Sequence, residues 1–225
     1  MECAGEAYAG GGGNYDSGPE SVQDSAAAAL ENWLDEEGFF VQIPQSGYGV
    51  ERDAGDRVLL SFDVDGQTKS AVITAADTMD YDDDVGWGVE SWAQCDPSEF
   101  PAAFYNELAY GVWLDASGQP APVTEIMSFQ GGEHCGWEDV TFLQLGGEDR
   151  KEEYLRDPSG KLADYLRTTY DGRASLPEDA TDTGYRRDRR GLWLTPARDA
   201  AYLVSLDNDT DVELWPRATE PIWCA

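Results

Sequence analysis

Four cysteines, one histidine and two tight groups of acids are the reactive and metal-ligating side chains that stand out in this chain. His134 stands beside Cys135 in Gly131-Gly132-Glu133-His134-Cys135-Gly136-Trp137. A Cys–His nucleophile pair needs a free thiolate with an imidazole turned toward it. Sequence neighbours in extended chain point to opposite sides, and a disulfide at Cys135 removes the thiolate. His134 is therefore read as a structural or surface residue. A single histidine also excludes a His-rich zinc centre, which leaves carboxylates as metal ligands. Asp207-Asn208-Asp209-Thr210-Asp211 has the alternating acids of a calcium loop. Val212 stands where that loop needs glycine, and Ala218 where it needs a bidentate Glu. A polar hairpin turn is expected there, with calcium at Asp207, Asp209 and Asp211 as the alternative. Asp77, Asp80, Asp82, Asp83 and Asp84 form a denser patch; Asp80, Asp82 and Asp84 are its candidate calcium ligands, against a solvated acidic loop.

Arg186, Arg187, Arg189 and Arg190 are a basic island in an acidic chain. They read as a partner or phosphate contact, or as partners of the protein's own surface acids. Paired carboxylates beside exposed tryptophans would suit glycoside hydrolysis. Among 45 acids some pair always falls at a suitable spacing, and Trp87, Trp92, Trp137 and Trp215 lie in or near strand patterns, where packing is the ordinary role. The sequence carries no Gly-rich phosphate loop, nucleophile elbow or dinucleotide fingerprint, so no catalytic residues and no organic cofactor are assigned.

The chain has 225 residues, with 45 acidic and 15 basic side chains and a net charge of −30. So negative a surface repels phosphate backbones, which excludes nucleic acid as a partner. No apolar run is long enough to span a bilayer. The cysteines are too widely spaced for a zinc knuckle and read as oxidised, which places the protein outside the cytoplasm. Cys95 with Cys135 is the expected bridge. Cys224 then pairs with Cys3 or stays free. Cys3 has a second reading: followed by small residues and the glycines Gly10 to Gly13, it resembles the start of a mature bacterial lipoprotein, lipidated at Cys3. Met1-Glu2 then reads as a start placed on a mature sequence.

The elements that would position these residues are mostly strands. Residues 1–16 are expected to be a disordered, Gly-rich tether. Ser17-Gly18-Pro19-Glu20 has the form of a capping box. It predicts an amphipathic helix to about Glu37, with Val22, Ala26, Ala29, Leu30, Trp33 and Leu34 as its apolar stripe and Gly38 as its stop. Val58, Leu60, Phe62 and Val64 alternate with Leu59, Ser61 and Asp63; Asp65-Gly66 turns the chain into a return strand with Ala71 and Ile73 on one face. Trp87 to Ala93 is a further strand, and Asp96-Pro97-Ser98-Glu99 a short helical turn. Val112–Leu114, Val123–Phe129, Val140–Leu145 and Tyr154–Arg156 read as strands, and Leu162 to Tyr170 as a short helix. Strands at 191–195, 201–206 and 212–215 close the chain. The fold class is α+β, mainly antiparallel hairpins and meanders with an N-terminal amphipathic helix, in a single compact domain over 17–225. The order of features in 40–95, ending in Val89-Glu90-Ser91-Trp92 and Cys95, returns in 184–224, ending in Val212-Glu213-Leu214-Trp215 and Cys224. That order suggests two similar β lobes, against chance among β-rich segments.

Taken together, Cys95-Asp96-Pro97-Ser98-Glu99, Glu133-His134-Cys135-Gly136-Trp137, Tyr154-Leu155-Arg156-Asp157-Pro158, Trp215-Pro216-Arg217 and Cys224-Ala225 resemble uncharacterised secreted proteins or lipoproteins of high-GC actinobacteria. The resemblance runs from about residue 20 to the end. It implies an envelope location and no activity. The functional expectation is a non-enzymatic, secreted or lipid-anchored envelope protein that binds another protein or a cell-wall component. The alternatives are an extracytoplasmic hydrolase working through paired carboxylates and a calcium-dependent adhesion protein.

Overall fold

The computed structural model describes residues 1–12, 21–36, 42–80, 82–105, 108, 110–146 and 152–223. They form three antiparallel sheets with few helices. The expected single domain over 17–225 is instead two compact units, Met1–Phe104 and Tyr105–Ala225.

Unit 1 is one five-stranded sheet. Its strands are β1 (Tyr8–Gly11), β2 (Gly49–Asp53), β3 (Arg57–Val64), β4 (Gln67–Met79) and β5 (Val85–Gln94), in the order β1-β5-β4-β3-β2. Asp65 and Gly66 both take positive φ, 52° and 78°, the turn that matches strand twist in a two-residue hairpin. A helix, α1 (Ala26–Glu36), buries Ala29, Leu30, Trp33 and Leu34 against Val58, Leu60, Val72 and Val89 of the sheet. Its start differs from the expectation. Ser25 is the cap, its Oγ accepting from the Ala28 N–H at 3.3 Å. Val22 lies before the helix, and Gln23 pairs with Trp87 in an antiparallel bridge. The expected capping box at 17–20 and the stop at Gly38 lie outside the described residues. On β4 the buried face is Ser70, Val72 and Thr74, with Ala71 and Ile73 half-buried on the other side.

The tether expected over 1–16 is corrected for residues 1–12; residues 13–16 lie outside the described ones. Tyr8–Gly11 pairs along β5 from Gln94 to Ser91. The glycines serve close packing. A Cβ at Gly10 would lie 2.9 Å from the Trp92 indole nitrogen, and one at Gly12 2.0 Å from the Val89 carbonyl oxygen. Cys3 is bonded to Cys95, with Cα atoms 5.1 Å apart. Beside it the Ala4 N–H donates to Glu99, whose carboxylate also accepts from buried Lys69 at 2.9 Å. Closing 92 residues of chain stabilises by about 4–5 kcal/mol in the chain-entropy model. The expected Cys95–Cys135 bridge and the Cys3–Cys224 alternative are thereby overturned. Spacing leaves three ways to pair four cysteines and cannot choose among them. Lipidation of Cys3 goes with them, because its sulfur is already bonded. Cys135 is itself disulfide-bonded, and Cys224 lies outside the described residues.

Unit 2 holds two four-stranded meanders. The first is β6 (Tyr110–Val112), β7 (Ile126–Gln130), β8 (Thr141–Leu145) and β9 (Glu152–Arg156); the second is β10 (Thr181–Arg187), β11 (Arg190–Leu194), β12 (Ala200–Ser205) and β13 (Val212–Pro216). Backbone bridges tie the sheets together on both sides. Leu114 exchanges N–H···O bonds of 2.9 and 2.8 Å with Arg186, joining the β6 and β10 sides. Tyr154 bridges Arg217, and the Ala218 N–H reaches the Glu153 carbonyl at 2.8 Å, joining β9 to the end of β13. The result is a flattened barrel of eight strands. Such barrels enclose an interior that side chains just fill, or that one small ligand shares with them. Trp113, Ile126, Leu143, Tyr154, Leu192, Leu203 and Trp215 fill this one from both sheets. The helix expected over Leu162–Tyr170 is a single 3₁₀ turn, Ala163–Tyr165. The chain then runs extended, with Leu166 paired to Ala218 and Asp171 to Leu214. Leu162 and Leu166 pack in one cluster with Phe142 and Ala218.

Candidate functional site

Period-two alternation carries the barrel's inward face along each strand, and at one end that face turns from apolar to polar. Ile126 in β7 is followed by Ser128 and Gln130, and Thr141 precedes Leu143 in β8. Tyr154 is followed by Arg156 in β9, Arg190 precedes Leu192 in β11, and Glu213 precedes Trp215 in β13. Neighbouring strands run oppositely, so these positions converge at one rim. They line a pocket of about 430 Å³ whose floor and walls include Trp113, Leu203 and Trp215.

Arg187 and Arg190 reach this rim from a two-residue hairpin. Asp188 and Arg189 take φ of 48° and 61°, which makes Arg187 and Arg190 direct cross-strand partners. Like charges directly opposite each other destabilise a sheet. Two features offset that cost. Glu213 forms ion pairs with Arg190 at 3.2 Å and Arg156 at 3.4 Å, and accepts hydrogen bonds from the Trp215 indole at 3.0 Å and the Tyr170 hydroxyl at 3.2 Å. Burial, and next the Glu213 charge, push the Tyr170 phenol up from its ordinary value, so it stays a donor. Arg187 instead donates to Ser128 Oγ at 2.5 Å, and Ser128 Oγ also accepts from the Trp113 indole at 3.3 Å. Arg187 lies flat over backbone where β6 has a glycine: a Cβ at Gly111 would fall 0.8 Å from its Nη1.

The turn thus splits the arginine island in two. Arg187 and Arg190 face the pocket, while Arg186 binds Asp182 and Arg189 binds Asp207 on the outside. The guanidiniums hold the Asp182 and Asp207 carboxyls below the ordinary range, chiefly through these hydrogen bonds.

The same contacts occupy two acids of one calcium candidate. Asp207 and Asp211 of Asp207–Asp211 are engaged by Arg189 and Arg190, and a cation would have to compete with both. In the other cluster Asp80 accepts from the backbone N–H groups of Val22, Asp82 and Asp84, which makes it the organiser of a turn. Among the described residues one trio of Cys, His and acids brings its ligand atoms close enough for a metal, Cys3, Cys95 and Glu99, and two of its members are joined to each other as a disulfide. His134 sits on the 3₁₀ turn Glu133–Cys135. Since Cys135 is disulfide-bonded, the Cys–His nucleophile is ruled out.

A second concavity, about 970 Å³, lies on the outer face of β7 and β8, where Phe129 stacks on Phe142 at 5.1 Å beside Trp137, His134 and exposed Trp223. It is wider and largely apolar, without the converging guanidiniums of the rim pocket. Sequence reasoning found Arg187 and Arg190 but missed Ser128, Gln130, Thr141, Arg156 and Glu213. Their signal was a polar residue one step beyond an apolar inward position on each of several strands. Comparison of the chain with protein-family models, curated proteins and solved structures finds no significant match.

Proposed function

We propose that this is a non-enzymatic binding protein of the cell envelope or extracellular space, and that it takes a small ligand into the rim pocket of unit 2. The observation that carries the reading is the convergence of Arg156, Arg187 and Arg190 with Trp113 and Trp215 in one concavity of a chain whose net charge is −30. Concave, mostly apolar sites with a few converging polar groups are the usual form of ligand pockets, and barrel mouths are a usual place for them. A pocket of about 430 Å³ admits a small molecule or one terminal group of a cell-wall component. A protein partner would need a far broader face.

The binding reading is favoured over hydrolysis by Glu213. Both its oxygens are occupied by guanidinium, indole and phenol donors, which leaves it poorly placed as a nucleophile or proton carrier. Export is supported by the Cys3–Cys95 bond, since such bonds persist in oxidising surroundings. No helix among the described residues is long and apolar enough to cross a membrane. The test is thermal unfolding of the whole protein against a panel of small acids, bases, sugars and neutral amides. At least one class should raise the melting temperature in a concentration-dependent way and change tryptophan emission. A panel that shifts neither signal contradicts the reading.

A further inference from the structure

The pocket's charge balance says what kind of ligand it takes, provided the rim is a binding site as read above. Three guanidiniums, of Arg156, Arg187 and Arg190, meet three carboxylates: Glu213, shared by Arg156 and Arg190; Asp211, which pairs with Arg190 at 3.2 Å; and Asp188, which pairs with Arg187. The acids are not equivalent. Glu213 has a side chain only 14% exposed and satisfies Arg156 and Arg190 together. Asp188 has a side chain 83% exposed, and its bond to Arg187 Nε at 3.0 Å is a solvated contact of little worth. Arg187 is therefore the one guanidinium of the three that does not share the buried carboxylate, and it cannot shed its proton. Its Nη1 reaches Ser128, and its Nη2 carries no hydrogen bond among the described residues. Ser128 Oγ already accepts from Arg187 and from Trp113, so its own proton remains to donate.

We infer that the ligand is a small monocarboxylate, its carboxylate seated on Arg187 and Ser128 and its apolar body against Trp113, Leu203 and Trp215. Two adjacent donors, one of them a planar fork, suit the two oxygens of a carboxylate. One guanidinium without a buried counter-charge suits a single negative charge. A phosphate monoester would bring nearly twice that charge into a pocket with no second guanidinium of that kind.

Calorimetric titration of the whole protein with benzoate, benzamide and inorganic phosphate tests this. Benzoate should bind at least about 10-fold more tightly than benzamide, the difference expected of one charge-assisted hydrogen-bonding pair. Phosphate should not displace it. Arg187→Gln should remove the preference for benzoate over benzamide, and Arg187→Lys, which keeps the charge, should restore part of it. Unchanged melting of both variants, checked alongside, separates a lost contact from a lost fold. Equal binding of benzoate and benzamide to the wild type, or displacement of benzoate by phosphate, overturns the ligand class and leaves the pocket reading standing. If none of the three probes binds and the wider panel is also silent, the pocket reading itself fails.

Discussion

In unit 1 the inward positions of β3, β4 and β5 carry Val58, Leu60, Val72 and Val89, and α1 lays Leu30, Trp33 and Leu34 across them. In unit 2 the inward positions begin in the same way, with Ile126, Leu143, Leu192 and Leu203. At one rim they end in Ser128, Arg156, Arg187, Arg190 and Glu213. Both units are built from four-stranded meanders, and β6–β9 and β10–β13 repeat the arrangement that β2–β5 sets. The difference lies in where the core rule stops. Unit 1 keeps charge off its inward face, where Ser70 and Thr74 are polar but neutral, and covers that face with a helix. Unit 2 gives up one end of its core to charge, including two arginines directly opposite each other. Foldability alone does not ask for that arrangement, which is what the proposed binding role would require.

The comparison breaks most easily at Trp33. Trp33→Ala should cost about 3–5 kcal/mol in urea unfolding, because it empties the contact between α1 and the sheet. Hydrogen exchange should place the loss in unit 1. A cost below about 1 kcal/mol would mean that the helix does not close that core. Next in size is Glu213. Glu213→Gln leaves Arg156 and Arg190 without their shared carboxylate and should cost about 1–3 kcal/mol. By contrast Arg187→Gln should cost less than about 1 kcal/mol, because it also relieves a like-charge pair. If the two substitutions cost the same, Arg187 is a structural residue and the division between the units fades.

The smallest effect is with pH. Asp182 and Asp207 are held below the ordinary carboxylate value by Arg186 and Arg189. A carboxyl whose folded value is depressed stabilises above its unfolded value, near 3.8, and loses that contribution as the pH falls through the lower, folded one. The melting temperature of unit 2 should therefore decline as the pH drops below about 4, and Asp182→Asn should flatten the decline. An unaltered profile in the variant would show that the Arg186 pair contributes nothing.

Much of the strand pattern was legible in the sequence, because period-two alternation at Val58–Val64 and the Asp65-Gly66 turn are local signals. The pocket was only half legible. Arg186, Arg187, Arg189 and Arg190 read as one basic island, since nothing in Asp188-Arg189 announces a turn with two positive φ values. That turn decides which arginines face inward. The N-terminal glycines were misread for a similar reason. Glycine suits a tether, yet it equally suits a strand lying against Trp92 and Val89, and only the partner distinguishes the two. The disulfide followed the same logic, because pairing depends on which strand lies beside Cys95.

The charged rim of unit 2 should receive a ligand while unit 1 does not. The most direct measurement is the set of indole N–H resonances during a titration with benzoate. The eight tryptophans report on both units, Trp33, Trp87 and Trp92 on the first and Trp113 and Trp215 on the pocket itself. Saturable shifts are expected at Trp113 and Trp215, with the three indoles of unit 1 unmoved. Shifts confined to Trp33, Trp87 or Trp92, or no saturable shift at Trp113 and Trp215 with any acid of the panel, would contradict this.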